Sequence, residues 1–412
     1  MPISRNRFHY GWIVLAMSTL IIFGALGLAR FGYTMVLPSM QVGLALDNTQ
    51  AGGLATVNLL GYLALCVIGG LLAARYGSRA VVAVALGLVG LGMVLTGLAN
   101  GFWTAAAWRA LAGMGSGASN VPAMGLMAAW FARRRRGMAA GIAAAGSSLG
   151  LMFVGPLVPR LLTRYGESGW RMCWFVFGAI ALLLAAASAF VLRNRPSDIG
   201  LHPVGARDDE KIPSSDAGAA LQWGKVYRSG AVWHLGLVYT AFGFAYIIYM
   251  TFFVKGLIAQ GGYTPAAAGR LFMSMGWLAL LCGVIWGTLS DIIGRKAALI
   301  LVFLVHAGSF SLFAVSRGAA GFTISAALFG LSAWSIPAIM AAACGDMLGP
   351  RLAPTALGFI TLFMGIGQAA GPSVAGAMAD ASGSFGPAFL LAAGVSFVGA
   401  LAAATLPGLS LK

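Results

Sequence analysis

The chain has 412 residues, of which 59% are hydrophobic and only 9% charged, with a mean hydropathy of +0.88. A soluble domain averages about 25% charged residues, so an ordinary globular protein is excluded, and continuous apolar runs in place of short alternating segments exclude a transmembrane barrel. The net charge of +16 gathers in alternate short loops, as a positive-inside topology requires, and leaves no soluble face for nucleic acid.

The first apolar run opens near Trp12 and closes near Pro38, giving span 1 over about 10–38; about 20 mostly apolar residues suffice to cross a bilayer. Inside it, GALGLARFGYTMVLPSM (24–40) carries Arg30, roughly 25 Å along the axis from Ile13 at about 1.5 Å per residue. An arginine at that depth costs at least about 2.5 kcal/mol, so it should face a protein interior or an aqueous cavity. Gly24, Gly27 and Gly32 loosen the helix around it, and Pro38 should stop it. Span 2 covers about 50–73 and ends at Arg75; span 3 covers about 79–99 and turns at Asn100-Gly101. Span 4, about 103–130, is closed by Arg133, Arg134, Arg135 and Arg136, and spans 5 and 6 follow at about 137–163 and 169–192. A stretch rich in Pro, Gly, Ser and charge then reads as a linker over 193–230, with a short interfacial helix near 221–227. Spans 7 to 12 fall at about 231–254, 266–290, 296–316, 321–345, 353–379 and 385–406.

Six spans on each side of one linker make an all-α membrane protein with twelve transmembrane helices in two six-helix, pseudo-symmetric halves, 1–192 and 231–412. Arg5, Arg7, Arg75, Arg79, the four-arginine run, the linker, Arg295, Lys296, Arg351 and Lys412 fall on one side of this map, which makes both termini cytoplasmic. The four cysteines lie far apart within apolar runs and show neither a disulfide framework nor metal-ligand spacing. No P-loop is present for ATP-driven transport, and no acid, base or metal groups converge as an enzyme would need. No cofactor is expected.

The loop after span 8 reads GTLSDIIGRK (287–296), and its counterpart after span 2 reads GLLAARYGSR (70–79). Both resemble the G-x-L-x-D-x-x-G-R-K signature of the major facilitator superfamily, at the two positions half a chain apart where that family carries it. The resemblance implies that Asp291, Arg295 and Lys296, with Arg75 and Arg79 in the first copy, gate the cytoplasmic side; Ala74 stands where the first copy would have its aspartate. In span 4, RALAGMGSG resembles the family's R-x-x-x-G-x-G motif. This implies a proton-coupling role for Arg109, and the alternative is that Arg109 anchors its helix end among packing glycines. Span 5 (GSSLGLMFVGPLVP, 146–159) and span 11 (GIGQAAGPSVAG, 365–376) resemble each other and the family's glycine-proline motif, and would let helices rock against their neighbours. HYGWIV, WFARRRRGMAAGI, GWR and RPSDIGLHPVG resemble the bacterial monocarboxylate and oxalate/formate-type porters, which use cations in spans 8 and 11, or 1 and 8, for carboxylates; here span 8 has no buried cation and span 11 none after Arg351, while the span 1 arginine remains.

In that fold spans 1, 2, 4, 5, 7, 8, 10 and 11 line the cavity. The polar and aromatic residues they offer are Arg30, Tyr33, Asn58, Tyr62, Asn120, Tyr246, Tyr249, Trp277, Trp334 and Gln368. For each the alternative is ordinary packing, interface anchoring or a helix-to-helix hydrogen bond. None of the ten Asp and Glu residues falls at mid-membrane in this map, so the usual titrating carboxylate of a proton-coupled porter is missing. If H+ is coupled, the substrate itself would carry it; exchange and uniport stay open. The leading expectation is a monomeric secondary transporter of a small organic anion, a carboxylate by its resemblance, bounded by lipid in a bacterial inner membrane. The alternative is an exporter of multiple drugs or hydrophobic metabolites.

Overall fold

The computed structural model describes residues 9–206 and 224–407. The basic residues Arg5, Arg7 and Lys412, and linker residues 207–223, lie outside the described residues. The helical segments are α1 (Tyr10–Gly43), α2 (Asn48–Tyr76), α3 (Ser78–Gly97), α4 (Phe102–Trp130), α5 (Arg133–Ala144 continuing as Gly146–Tyr165) and α6 (Gly169–Val191), then α7 (Gly230–Ala259), α8 (Pro265–Ile293), α9 (Arg295–Val315), α10 (Ala319–Leu348), α11 (Thr355–Ser382) and α12 (Gly386–Ala404). Ten stretches are long and apolar enough to cross a membrane; one of them, Arg134–Val191, spans α5 and α6, and α4 is not among the ten. The Arg, Ser and Asn side chains of α4 lower its hydropathy, as suits a helix facing protein. The described residues hold no β-strand, only an isolated bridge between Phe131 and Val204.

Local chemistry sets the helix ends. Asp47 and Gln50 form a reciprocal capping box at the start of α2, and Thr264 caps α8 with Pro265 in its first turn. The α2–α3 and α8–α9 turns pivot on Gly77 (φ 86°) and Gly294 (φ 88°), a left-handed region that penalises any Cβ. The same turn at the same place in each half is a backbone mark of the internal repeat. Helix pairing repeats as well: α1 with α5, α2 with α4 and α3 with α6 in the first half, and α7 with α11, α8 with α10 and α9 with α12 in the second.

Three expectations change. Helix α1 runs through Pro38 to Gly43; the ring removes one donor, while packing such as Trp174 Nε1 to Met40 Sδ at 3.4 Å holds the last turns. The turn expected near 350 is absent: α10 breaks at 333–334 instead, and from Ser335 one 48-residue helix runs to Ser382, so that the spans labelled α10 and α11 are continuous in backbone. The first part of the expected linker is docked on the N-terminal half: Val204 exchanges backbone hydrogen bonds with Trp130 and Ala132 (2.8 and 3.1 Å), and the His9 ring meets the His202 carbonyl at 3.0 Å. Of the interfacial helix near 221–227, only the turn Gly224–Tyr227 lies within the described residues.

The two halves meet through α2 with α11, α5 with α8 and α1 with α7. The meeting is tight at the end away from the termini. A Cβ on Gly155 of α5 would come within 2.5 Å of the Gly269 carbonyl in α8, and Gly52 and Gly376 abut the Pro372 and Asn48 carbonyls across the α2–α11 crossing. Toward the termini, Gly125, Gly141, Gly283, Gly287, Gly345 and Gly358 face open space instead. The close backbone approaches between the two halves are thus at the far end, which is closed.

Candidate functional site

The site forms where α1 departs from α-helical geometry. Phe23–Phe31 is a nine-residue π-helical segment, a form that is rare and concentrates at functional sites. Helix α4 supplies donors to two of its carbonyls: Ser116 Oγ to Ala25 at 2.7 Å and Arg109 Nη1 to Ala29 at 2.5 Å. These donors are seven residues apart, about two turns, and so lie on one face of α4. On the other side Gly27 packs directly on the backbone of Gly150 in α5. The wide turn is held from both sides, and Arg30 sits in its last turn.

Arg30 reaches across to the C-terminal half. Its Nη2 donates to the Tyr246 hydroxyl of α7 at 2.9 Å and to Oε1 of Gln368 in α11. The guanidinium also lies 5.6 Å from the Phe31 ring and 5.9 Å from the Tyr62 ring, and the Tyr62 hydroxyl accepts from Asn120 Nδ2 at 2.9 Å. Trp334, at the break in α10, completes the cluster: its ring is 5.5 Å from Phe31 and 6.2 Å from Tyr246, and its Nε1 donates to Ser148 Oγ of α5 at 3.2 Å. Arg30, Tyr62, Asn120, Tyr246, Trp334 and Gln368 therefore converge from both halves.

Tyr33 and Asn58 lie beside this group, toward the far end. The Tyr33 hydroxyl donates to the Ala51 carbonyl at 2.7 Å, and Asn58 Nδ2 donates to the Arg109 carbonyl at 2.8 Å. Arg109 is 1% exposed, its guanidinium 4.6 Å from the Tyr33 ring and 5.0 Å from the Trp174 ring. Among the described residues no carboxylate stands within ion-pair distance of Arg30 or Arg109. Arg109 thus donates to the backbone carbonyl one residue before Arg30.

Two expected lining residues are elsewhere. Trp277 is 57% exposed on the outer face of α8, where an indole suits lipid. Tyr249 is enclosed by Phe253, Phe310, Phe313 and Phe329 within the C-terminal half and hydrogen-bonds Ser325 at 2.8 Å. Helical spacing put Tyr246 and Tyr249 on nearby faces, but the three-residue offset sends the second ring into the bundle core.

At the termini end, Arg295 pairs with Asp291 at 2.5 Å and with Asp346 of α10 at 3.2 Å. Lys296 Nζ reaches the Leu406 carbonyl at 3.4 Å, and Arg79 donates through Nε to the Ala189 carbonyl at 2.5 Å. Arg75 is exposed beside Tyr76. The contacts given for Arg79, Arg295 and Lys296 each stay within one half.

Sequence reasoning missed the far-end contacts. Asp380 of α11 accepts from the backbone N–H groups of Asn48 (3.0 Å) and Thr49 (2.7 Å) and from the Thr49 hydroxyl (2.6 Å), so a carboxylate from one half meets the positive N-terminus of α2 in the other. Lys255 of α7 donates to Gln41 and Asn48 of the N-terminal half. In sequence these are loop-edge charges with no motif; the nearest signal is the Gly371-Pro372 segment that brings α11 against α2.

A family model described as "Uncharacterised MFS-type transporter YbfB" matches residues 22–404. Similar relatives include the probable sulfoacetate transporter SauU of Cupriavidus necator, 25% identical over 97% of this chain and 94% of its own length. The hexuronate transporter of Bacillus subtilis is 24% identical over 91% and 90%, and monocarboxylate transporter 11 of Mus musculus is 26% identical over 93% and 84%. Among solved structures, a mutant of the nucleoside transporter NupG aligns with a TM-score of 0.75 at 13% identity, covering 96% of this chain and all of that one. An inward-facing bacterial homolog of the human lysosomal transporter Spinster gives 0.74 at 16% identity, covering 98% and 97%. With the repeated glycine turns, the paired halves and a match over nearly its whole length, the chain belongs to the major facilitator superfamily of membrane transporters, and it is a transporter and not an enzyme.

Proposed function

We propose that this protein carries a small organic anion across a bacterial inner membrane by alternating access, with Arg30 as the residue that binds the anionic group. The observation that carries this reading is the set of partners on Arg30. A guanidinium in the middle of the bundle is met by a neutral amide oxygen and a hydroxyl from the opposite half, so a carboxylate or sulfonate would be a stronger acceptor than either. The relatives named for sulfoacetate, hexuronate and monocarboxylates all take organic anions by their names, which supports the same class. Tyr62, Asn120, Tyr246 and Trp334 would shape the pocket and hydrogen-bond the remainder of the substrate.

The two bodies that rock are residues 1–192 and 231–412, and the termini end is cytoplasmic by the distribution of arginine and lysine. On that orientation the present arrangement faces inward. Arg75, Arg79, Asp291, Arg295 and Lys296 would exchange their contacts within each half for contacts across the halves when the protein turns outward. Arg109 serves in this reading to hold the π-helical turn that presents Arg30.

Purified protein reconstituted in liposomes tests the proposal. Uptake of sulfoacetate, glucuronate and lactate is compared with that of a lipophilic cation, for wild type and Arg30→Gln. Saturable uptake of at least one anion, lost in the variant, is expected. Anion uptake that survives Arg30→Gln, or transport confined to the cation, overturns it.

A further inference from the structure

Beside Arg30, toward the closed end, lies a second feature that the organic-anion reading does not use. Arg30, Phe31, Tyr33, Thr34, Asn58, Arg109 and Thr251 are among the residues around a small cavity with about 10 Å³ of free volume, room for about one water-sized species. Two guanidinium groups border it, and each has a buried Nε–H without an acceptor in the protein. The other contacts of Arg109 are a backbone carbonyl and two aromatic rings, none of which carries a formal charge.

From this geometry we infer a binding site for a small monatomic anion between Arg30 and Arg109, with chloride, wider than water, admitted as the flexible side chains around it give slightly. Size decides against the larger anions: even the smallest carboxylate has three heavy atoms, which exceeds the space. Charge decides against water as the ordinary occupant. Arg109, 1% exposed, and the half-buried Arg30 have no neutralising carboxylate among the described residues, and the desolvation cost they carry is offset only weakly by a neutral molecule. An anion held there accepts from both Nε–H groups at once and links α1 to α4, with Thr251 in the wall beside it; the Thr34 hydroxyl is already donated to the Met250 carbonyl at 2.7 Å. The site shares the Arg30 guanidinium with the place where its Nη2 meets Tyr246 and Gln368 but lies on its Nε side, against Arg109, and a halide response that survives loss of organic-anion binding distinguishes the two.

The test uses the purified full chain in detergent. Thermal unfolding is followed while chloride, then bromide, replaces gluconate at constant ionic strength, and crystals grown in bromide are measured at the bromine absorption edge. Expected are a saturable rise in melting temperature with either halide and an anomalous peak between Arg30 and Arg109. Arg109→Gln should weaken the halide midpoint by roughly tenfold or more, about 1.4 kcal/mol per decade. Thr251→Val, which keeps both arginines, should weaken it less and guards against a folding defect in the first variant. A wild-type melting temperature indifferent to halide, or crystals with no anomalous peak and water density in the cavity, overturns the site.

Discussion

Arg30 on α1 and Gln368 on α11 are 338 positions apart in the chain, and their side chains are joined by a hydrogen bond across the two halves. The acceptor is the neutral amide oxygen of a residue only 3% exposed. This pairing gives a half-buried cation a neutral partner for its Nη2 without committing it to a permanent ion pair, so the arginine is held in place and can still be recruited by a better acceptor.

Replacing that acceptor by a carboxylate should therefore block the site. Gln368→Glu creates an internal ion pair with Arg30 at nearly unchanged shape, and substrate anion must then compete with a tethered one. The expected result is a half-saturating concentration raised by at least tenfold, about 1.4 kcal/mol, with the folded protein as stable as wild type or more so. Gln368→Ala removes the competitor and should leave the affinity closer to wild type. Equilibrium binding of radiolabelled anion measures both.

The far-end closure depends on Asp380 at the N-terminus of α2. A charge-assisted hydrogen bond is roughly twice as strong as a neutral one, and Asp380 accepts three contacts from Asn48 and Thr49. Asp380→Asn retains a single carbonyl oxygen and should open that end more often. In a background freed of native thiols, cysteine placed at Ala55, a wall residue of the small cavity, should react several-fold faster with a thiol reagent in the Asp380→Asn protein.

Glycine crossings offer an independent way to shift the same equilibrium. Gly155→Val places a branched side chain where a Cβ alone would stand 2.5 Å from the Gly269 carbonyl, so the closed far end should be depopulated. Gly141→Ala, in a helix facing open space, should be tolerated or stabilise by roughly 0.5–1 kcal/mol. Distances between spin labels on the two halves distinguish these outcomes.

Placement also separates two tryptophans that look alike in sequence. Trp334→Phe loses the hydrogen bond to Ser148 and loosens the packing on Phe31 and Tyr246; a several-fold loss of substrate affinity is expected. Trp277→Phe changes an outward-facing surface and should leave affinity within a factor of about two, as read from the same binding assay.

Much of the fold was legible because hydropathy and charge act locally. Apolar runs of bilayer length, arginine clusters and the two glycine-flanked basic loops at 70–79 and 287–296 define the helices, the halves and the family resemblance without any long-range contact. Arg30 was legible for the same reason: a charge within an apolar helix requires a partner, whatever that partner is. Tertiary structure decided what the partners are. Helical periodicity places a residue on a face but not on a neighbour, so Tyr249 and Trp277 were grouped with a cavity from which packing removes them. Gly24, Gly27 and Gly32 mark a loosened helix at 23–31 but not its π-helical form, which is sustained by Arg109 and Ser116, 80 and 91 positions from the carbonyls they hold. The same holds for Asp380 and Lys255. Their role at the far end exists only when α11 and α7 are brought against the first half, and a hydrogen bond between halves leaves no local trace in the chain.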